Sequence, residues 1–414
     1  MWNDTSDTGD SHSSEVREAQ QGGNRGPAVR LVNVLLGRAV DLGASDIHIE
    51  PREESLVVRL RVDGILQPAM TLDKQIRDAL VSSVKILANL DISERRLPQE
   101  GRLRIRVPQS DGSRVIDVRV STLPTACGEK LVMRVLDPAQ IPLSLEELGL
   151  EPSSLVKFQR ALQSPHGLIL VTGPTGSGKT STLYSCLGHL NREEVNILTA
   201  EDPIEYSLSG INQLEIKEQI GLSFSRALRS FLRQDPDIIM VGEIRDGPTA
   251  EISVKAAMTG HLVLSTLHTN DAVSAVTRLR DLGVEPFLIG SALRLVCAQR
   301  LVRSICEACR QPVQISKKGL PRIPGARDGT LLSASRGGGC RHCRGTGYRG
   351  RTGLFELLDL TPGLRETIQR GGAPSELESG ARSEGILTLW ESGLAKIRAG
   401  LTTVEEVRRA TLDL

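Results

Sequence analysis

The stretch LILVTGPTGSGKTSTLYSCL, residues 168–187, constrains the fold more than any other part of the chain. The apolar run Leu168 to Val171 predicts a buried strand, which leads through a glycine-rich turn into an apolar helix. The order of strand, G-x-x-x-x-G-K-[ST] and helix is typical of a phosphate-binding loop, and it makes a chance glycine-rich turn a poor alternative. We therefore predict an α/β sheet that binds a nucleoside triphosphate, and we expect ATP.

Each part of this loop has an expected role. Backbone N–H groups at a helix N-terminus can surround a phosphate. Lys179 can reach the β- and γ-phosphates, and the hydroxyl of Thr180 can coordinate Mg²⁺. The residues expected to contact the nucleotide here are Gly173, Pro174, Thr175, Gly176, Ser177, Gly178, Lys179, Thr180 and Ser181.

Two acidic stretches follow. VNILTAEDPIEY carries Glu201, Asp202 and Glu205 after a strand predicted at 195–198. LRQDPDIIMVGEIRD places Glu243 after a strand predicted at 238–241. Ligands bind beyond the carboxyl ends of parallel strands, so both groups are expected to face the phosphates. We expect Glu243 to polarise the attacking water, and a solvated strand-end carboxylate is the alternative.

A third stretch, TGHLVLSTLHTNDA, predicts a strand at 262–267 between His261 and His268. Single histidines more often pack or form hydrogen bonds than bind ligands. The combination of a strand, the flanking histidines and the following Thr-Asn-Asp resembles a γ-phosphate sensor of related motors, and this resemblance favours a functional role.

Four of the seven cysteines form two C-x-x-C pairs, Cys306 with Cys309 and Cys340 with Cys343. Two such pairs predict a closed four-thiolate zinc site, which is structural because it keeps no position for water. Unconnected redox or disulfide motifs are the alternative.

Composition narrows the function. A chain of 414 residues allows two or three domains. A net charge of +1 and an aromatic content of 2% argue against a nucleic-acid partner. No apolar stretch approaches the roughly 18 residues of a membrane span. We expect a cytoplasmic protein with at most peripheral membrane contact and a disordered N-terminus over residues 1–26.

The region 27–137 differs from the rest. VVRLRV, RLRIRV and RVIDVRV alternate apolar and basic residues, which predicts half-buried strands. Between the first two, Ile76, Leu80, Val84 and Leu87 would share one helical face. A proline-containing linker follows, and residues 352–414 read as short amphipathic helices.

In combination, the phosphate loop, the acidic and histidine stretches, the cysteine pairs and GYRGRTGLFELL resemble the type II secretion and type IV pilus assembly ATPases. ASDIHIEP, VRLRVDGIL, RLPQEGRLRIRV and DVRVSTLPTACGEKLVMRVLD extend the resemblance over roughly residues 30–414. It implies a homo-hexameric motor of α/β class that works on an inner-membrane platform protein. The cysteine pairs favour secretion or pilus extension over retraction.

The resemblance also implies an organisation in domains. These are a disordered segment 1–26, a PAS-like α/β domain 27–137, a linker 138–150, a RecA-like P-loop ATPase core 151–303, a tetracysteine zinc-binding subdomain 304–351 and a helical C-terminal domain 352–414. Members often carry a further domain ahead of the PAS-like one for docking, whereas about 26 residues stand there in this sequence.

Finally, the resemblance assigns site residues. Glu201, Asp202 and Glu205 match the acidic box, Glu243 the catalytic glutamate, and His261 and His268 the histidine box. Arginines that contact the nucleotide or a neighbouring subunit match Arg119, Arg134, Arg229, Arg233 and Arg351. We expect Arg119 and Arg134 to act as arginine fingers, and pairing with surface carboxylates is the alternative. A nucleic-acid translocase and a non-hydrolysing nucleotide-binding scaffold are the competing functions.

Overall fold

The computed structural model describes residues 26–109, 112–140, 144–316 and 331–411. The expected disordered segment, apart from Gly26, lies outside these ranges. The chain forms two compact units, divided after Gln140, and this division falls within the predicted linker. Among the described residues, no helix is both long and apolar enough to cross a membrane.

Within its described residues, the first unit contains one six-stranded antiparallel sheet and two α-helices. The helices are α1 (Pro27–Asp41) and α2 (Arg77–Leu87). The strands are β1 (Ala44–Pro51), β2 (Ser55–Val62), β3 (Ile65–Asp73), β4 (Gln99–Gln109), β5 (Gly112–Thr125) and β6 (Gly128–Leu136). Their order across the sheet is β3-β2-β1-β6-β5-β4.

Alternation along the strands creates the core of this unit. Ile47 and Ile49 of β1 are fully buried with residues of both helices, whereas Asp46, His48 and Glu50 point to the other face. On α2, Leu80 and Val84 are buried as expected. Leu87, the last residue of the predicted face, is exposed. The helix ends at this residue and the chain turns away, which leaves its side chain outside the apolar cluster.

The second unit contains a seven-stranded sheet and a two-stranded hairpin. Its strands are β7 (Gly167–Thr172), β8 (Ile197–Glu201), β9 (Asn212–Glu215), β10 (Ile238–Val241), β11 (Leu262–Leu267), β12 (Leu293–Ile305), β13 (Arg310–Ser316), β14 (Leu331–Gly337) and β15 (Tyr348–Asp359). The order in the large sheet is β15-β12-β7-β11-β10-β8-β9, and β13 pairs with β14. In the large sheet every pair is parallel except that of β12 with the edge strand β15.

Ten helices of this unit lie within the described ranges. They are α3 (Pro152–Leu162), α4 (Lys179–Leu190), α5 (Phe224–Phe231), α6 (Gly247–Met258), α7 (Ala272–Asp281), α8 (Pro286–Ala292), α9 (Pro362–Gln369), α10 (Pro374–Ser383), α11 (Leu389–Arg398) and α12 (Val404–Thr411). Short 3-10 turns cover Lys74–Ile76, Pro138–Gln140, Glu146–Leu148, Glu218–Ile220 and Glu307–Cys309.

The large sheet is buried on both faces. On β7, Leu168 and Leu170 belong to one apolar cluster, and Ile169 and Val171 belong to the cluster on the opposite face. This explains why the strand is a continuous apolar run rather than an alternating one. Four strands lead into the phosphate loop, the second histidine and the two acidic stretches. These strands, β7, β11, β10 and β8, are consecutive neighbours in the sheet.

The C-terminal region departs from the helical interpretation at its start. Residues from Tyr348 to Asp359 form β15, and the first helix after them begins at Pro362. β15 pairs along almost its whole length with β12, and this non-local pairing outweighs the local helical pattern in LFELL. The predicted boundary between Arg351 and Thr352 therefore falls inside a strand.

Candidate active site

The phosphate loop follows β7 directly and opens α4. Gly178 is the N-cap of α4, with φ of 88°, and no side chain caps this helix end. The first-turn N–H groups are therefore available to an anion. A Cβ at Gly173 would lie 2.5 Å from the carbonyl oxygen of Gln299 and 2.6 Å from Ser177 Oγ, so the loop admits only glycine there.

The loop side chains fall into two groups. Pro174, Thr175, Gly176 and Thr180 are exposed, whereas Ser177 is only 3% exposed. Among the described residues, Ser177 Oγ has no hydrogen-bond partner. A buried hydroxyl without a partner is costly. A phosphate oxygen at this loop would supply the missing bond, so the residues present fit the nucleotide that the sequence predicts.

Lys179 folds back over its own loop. Its Nζ donates hydrogen bonds to the carbonyl oxygens of Gly173, at 2.8 Å, and Pro174, at 3.1 Å. Burial lowers the pKa of Lys179 to about 8; Glu243 opposes this shift and Arg300 adds to it. Lys179 and Glu243, distant in the sequence, thus lie within electrostatic reach of each other.

Glu243 lies just past the end of β10 and is held from two sides. Arg245 Nη2 donates to its Oε1 at 2.5 Å, and His268 Nε2 lies 3.2 Å from its Oε2. The carboxylate is 18% exposed. Burial would raise its pKa, but the hydrogen bond and charge of Arg245, followed by His268, hold the pKa below its usual value.

The three acidic-box residues take different positions. Glu201 is 3% exposed at the end of β8. It accepts hydrogen bonds from Thr199 Oγ1 at 2.6 Å, from Gln213 Nε2 at 2.9 Å and from the hydroxyl of Tyr184. Asp202 is exposed, and Glu205 is partly buried in the loop that follows. Asp202 shares a partner with Glu243, since Arg245 Nη1 is 3.5 Å from Asp202 Oδ2.

The two histidines lie at opposite ends of β11. His268 follows its carboxyl end and reaches Glu243. His261 precedes Leu262, its carbonyl accepts a hydrogen bond from the N–H of Gly167, and its Nδ1 is 3.0 Å from the carbonyl oxygen of Ala256. The six-residue strand puts about 20 Å between the two positions. His261 therefore lies at the end of α6, away from the phosphate loop of the same chain, and its assignment to the nucleotide stays a prediction.

The arginines of the second unit are also dispersed. Phe224, at the start of α5, lies beside Gly242 at the carboxyl end of β10. The later turns of α5 and the following loop therefore carry Arg229 and Arg233 towards the amino end of that strand, away from the phosphate loop. Arg351 lies on β15 opposite Arg303 of β12, beyond the carboxyl end of β7.

Arg119 and Arg134 are cross-strand neighbours in the first unit. They belong to a row that crosses five strands; in order, its members are Arg61, Asp46, Arg134, Arg119 and Arg102. Asp46 is the acid of this row, with Oδ1 at 3.2 Å from Arg134 Nε and Oδ2 at 3.4 Å from Arg61 Nε. One carboxylate among four guanidinium groups gives this part of the sheet a positive field.

The four cysteines converge as the spacing predicts. The ligand atoms of Cys306, Cys309, Cys340 and Cys343 all lie within 4.8 Å of one another. Three of the S···S distances are 3.7–3.9 Å. A regular tetrahedron with zinc–sulfur bonds of about 2.3 Å has edges of about 3.8 Å. The backbone N–H groups of Cys340 and Gly347 donate to Cys343 Sγ at 3.2 Å, and such hydrogen bonds stabilise a metal-bound thiolate. The donor set therefore fits a four-coordinate metal.

Several contributors at this site were missed in the sequence. Arg245 stands two residues after Glu243, and a cation so close to a strand-end carboxylate was a usable signal. Gln299 accepts a hydrogen bond from Thr182 of α4 at 2.7 Å, and Arg300 donates to Asn270 after β11. These two gave no local signal because they lie on an apolar strand that is distant in sequence from the loop they support.

Comparisons with known proteins agree with these features. A family described as type II/IV secretion system protein matches residues 21–409. The type IV pilus assembly ATPase PilB of Myxococcus xanthus is 48% identical over 395 residues, which cover 95% of this chain and 69% of PilB. The type II secretion system ATPase E of Vibrio cholerae is 48% identical over 387 residues, 94% of this chain and 76% of that protein.

Solved structures share the fold. The pilus retraction motor PilT with bound ADP has a TM-score of 0.59 at 27% identity, over 92% of this chain and 96% of PilT. The Legionella pneumophila ATPase DotB has a TM-score of 0.68 at 21% identity, over 93% of this chain and 96% of DotB, and supports the fold alone. The chain therefore belongs to the type II/IV secretion system family of ATPases.

Proposed function

We propose that this chain hydrolyses ATP to power the assembly of pilin-like subunits, in type II secretion or in type IV pilus extension. One observation carries the chemical part. The phosphate loop, His268, Glu243 and the acidic box follow the carboxyl ends of β7, β11, β10 and β8, which are four adjacent parallel strands. The names of the two relatives support the process, and secretion and pilus extension both stay open.

On the side of the phosphate loop, the chain would bind and orient the phosphates of the nucleotide. The N–H groups of the loop and Lys179 would bind the β- and γ-phosphates, which requires Lys179 to exchange its two carbonyl partners for phosphate oxygens. The exposed hydroxyl of Thr180 would hold Mg²⁺, which when bound offsets phosphate charge. Asp202 and Glu205 follow β8, which is separated from β11 by β10. With Glu243 they would form the acidic side of the site.

At the water side, Glu243 would accept a hydrogen bond from the attacking water and orient it towards the γ-phosphorus. The new P–O bond forms as the bond to the bridging β–γ oxygen breaks, and ADP leaves. His268 would sense the γ-phosphate through its contact with Glu243. Buried Glu201 would fix the acidic box through its three neutral donors.

Negative charge that develops on the transferred group requires further cations. We assign this role to Arg119 and Arg134 of the first unit, and contacts to the nucleotide or to a neighbouring subunit to Arg229, Arg233 and Arg351. The dispersed positions of the last three suit a ring of subunits, and we propose a homo-hexamer. It would act at the cytoplasmic face of the inner membrane on a platform protein. The metal of the tetracysteine cluster is proposed to be zinc.

The assignment is tested by variants that are expected to differ in whether ATP binding is lost together with turnover. Glu243→Gln should lower turnover by about 10²–10⁴-fold and keep ATP binding, because it removes only the group that acts on water. Lys179→Ala should weaken both. Arg134→Ala should lower turnover by about 10³-fold with little change in ATP affinity. Steady-state turnover and equilibrium binding of ATP measure these effects.

Turnover close to wild type in Glu243→Gln would refute the role of Glu243. Stimulation of turnover by duplex or single-stranded DNA at low salt would revive the nucleic-acid translocase, which the net charge of +1 disfavours. Native mass spectrometry with bound nucleotide should give a mass of six chains.

A further inference from the structure

Arg245 links the two acidic stretches of the site. One end of its guanidinium group contacts Glu243 Oε1 at 2.5 Å, and the other end lies 3.5 Å from Asp202 Oδ2. The two carboxylates follow β10 and β8, which are adjacent parallel strands, with Val241 opposite Ala200. A planar guanidinium group with donors on both sides fits the gap between two such carboxylates.

These contacts leave Glu243 able to act. A carboxylate accepts about four hydrogen bonds, two at each oxygen. Arg245 uses one position on Oε1, and His268 lies against Oε2. Acceptor positions therefore remain for water, while the carboxylate is fixed in orientation by a donor on either side.

We propose that Arg245 is a positioning residue for hydrolysis, which fixes the carboxylate of Glu243 against Asp202 so that an oxygen is aimed at the attacking water. The inference rests on the proposed role of Glu243 and deepens it. An arginine that is 54% exposed has a simpler alternative, a surface ion pair that adds little to stability and nothing to turnover.

The charged and titratable groups around Glu243 allow an experiment to distinguish a positioning residue from a simple surface ion pair. Arg245 lies on the same loop, His268 follows β11, and Lys179 begins α4; Asp202 faces Arg245 from the end of β8. Burial raises the pKa of Glu243, and Arg245 is the largest influence that lowers it. Loss of Arg245 must therefore raise this pKa, and the carboxylate will be protonated at a higher pH.

The experiment compares Arg245→Ala and Arg245→Lys with Arg370→Ala in the full chain. Arg370 is a matched control, since it is 60% exposed and pairs with Glu376 at 2.7 Å on the C-terminal helices. For Arg245→Ala, kcat should fall at least about tenfold at neutral pH, as the carboxylate is no longer aimed. KM for ATP should stay within about twofold, and the fall of kcat on the acid side should move to higher pH.

The lysine variant keeps a charge without the planar fork. It should restore the acid limb of the pH profile but only part of kcat. Arg370→Ala should change neither quantity. An acid limb in Arg245→Ala that coincides with that of the wild type, or a kcat within twofold of it, would overturn the proposal.

A second cycle separates this proposal from the role of Glu243 itself. In the Glu243→Gln background, Arg245→Ala should cause no further loss of the residual single-turnover rate, because the residue acts through the carboxylate. An equal loss in both backgrounds would mean that Arg245 acts independently of Glu243. Full turnover in Glu243→Gln alone would instead refute the proposed role of Glu243.

Discussion

The nucleotide site and the tetracysteine cluster lie along one strand and are built on opposite principles. β12 passes the phosphate loop at Gln299 and ends at Ile305, directly before Cys306. At the nucleotide site, charged groups contact protein atoms: Lys179 contacts its own loop, and Glu243 contacts Arg245 and His268. At the cluster, four sulfurs face one another.

The difference concerns what each site requires from a ligand. At the first site, the charged side chains would exchange protein partners for substrate atoms, which suits a molecule that must bind and leave in every cycle. At the second site, two thiolates about 4 Å apart repel by about 4 kcal/mol at an effective dielectric constant of about 20. A bound cation offsets this repulsion and lets all four sulfurs stay deprotonated, which suits a permanent structural ion.

The largest expected effect is loss of the metal. Cys306→Ser combined with Cys309→Ser should abolish zinc binding, for which apparent free energies of about 10–16 kcal/mol are typical. The cluster and its flanking turns should then exchange amide hydrogens rapidly, while β7 and α4 stay protected because their core lies elsewhere. Metal content and hydrogen exchange measure this, and about one zinc per chain is expected in the wild type.

Cys127→Ser is the control, since Cys127 lies in the first unit, outside the cluster. It should leave both metal content and exchange unchanged. A metal-free wild-type preparation in which the cluster is fully protected from hydrogen exchange would show that the cluster needs no ion.

A smaller loss of stability is expected when a hydrogen bond to the buried Glu201 is removed. Tyr184→Phe removes one of the three donors to the buried carboxylate of Glu201. Loss of a hydrogen bond to a charged group costs about 1.5–3 kcal/mol. The stability of the β8 region, measured by hydrogen exchange in urea, should fall by this amount.

Tyr348→Phe provides the comparison, because the hydroxyl of Tyr348 is 2.9 Å from a neutral partner, Thr403 Oγ1. Its loss should cost about 0.5–1.5 kcal/mol. Equal losses in the two variants would show that the carboxylate of Glu201 gains nothing special from Tyr184.

The smallest effect is the pH dependence of nucleotide binding. The pKa of Lys179 is about 8 without nucleotide, and bound phosphates favour the charged form and raise it. Affinity should therefore be constant below pH 8 and should fall, by at most about tenfold per pH unit, above it. Calorimetric titration with ADP from about pH 7 to 9.5 tests this.

In Lys179→Ala the affinity should be weak and independent of pH in this range. A wild-type affinity that does not change up to pH 9.5 would mean that Lys179 keeps its charge without phosphate.

Much of the site was predictable because its parts are local. The strand at 238–241 and the strand at 262–267 occur where the apolar runs predict them. The strand predicted at 195–198 runs instead from Ile197 to Glu201, so Glu201 belongs to its end rather than to the loop. The roles of the matched residues stay predictions. The start of the helical C-terminal region was misjudged because it depends on pairing with β12, a distant segment.

The sequence by itself determined the strand–loop–helix of the predicted phosphate loop and the two C-x-x-C pairs, since both follow from spacings of a few residues that fix backbone geometry. Only the tertiary structure decided that Arg245 bridges Glu243 and Asp202, that three neutral donors surround Glu201, and that His261 faces away from the phosphate loop. Those contacts depend on the order β7-β11-β10-β8, which non-local pairing sets and no local pattern encodes.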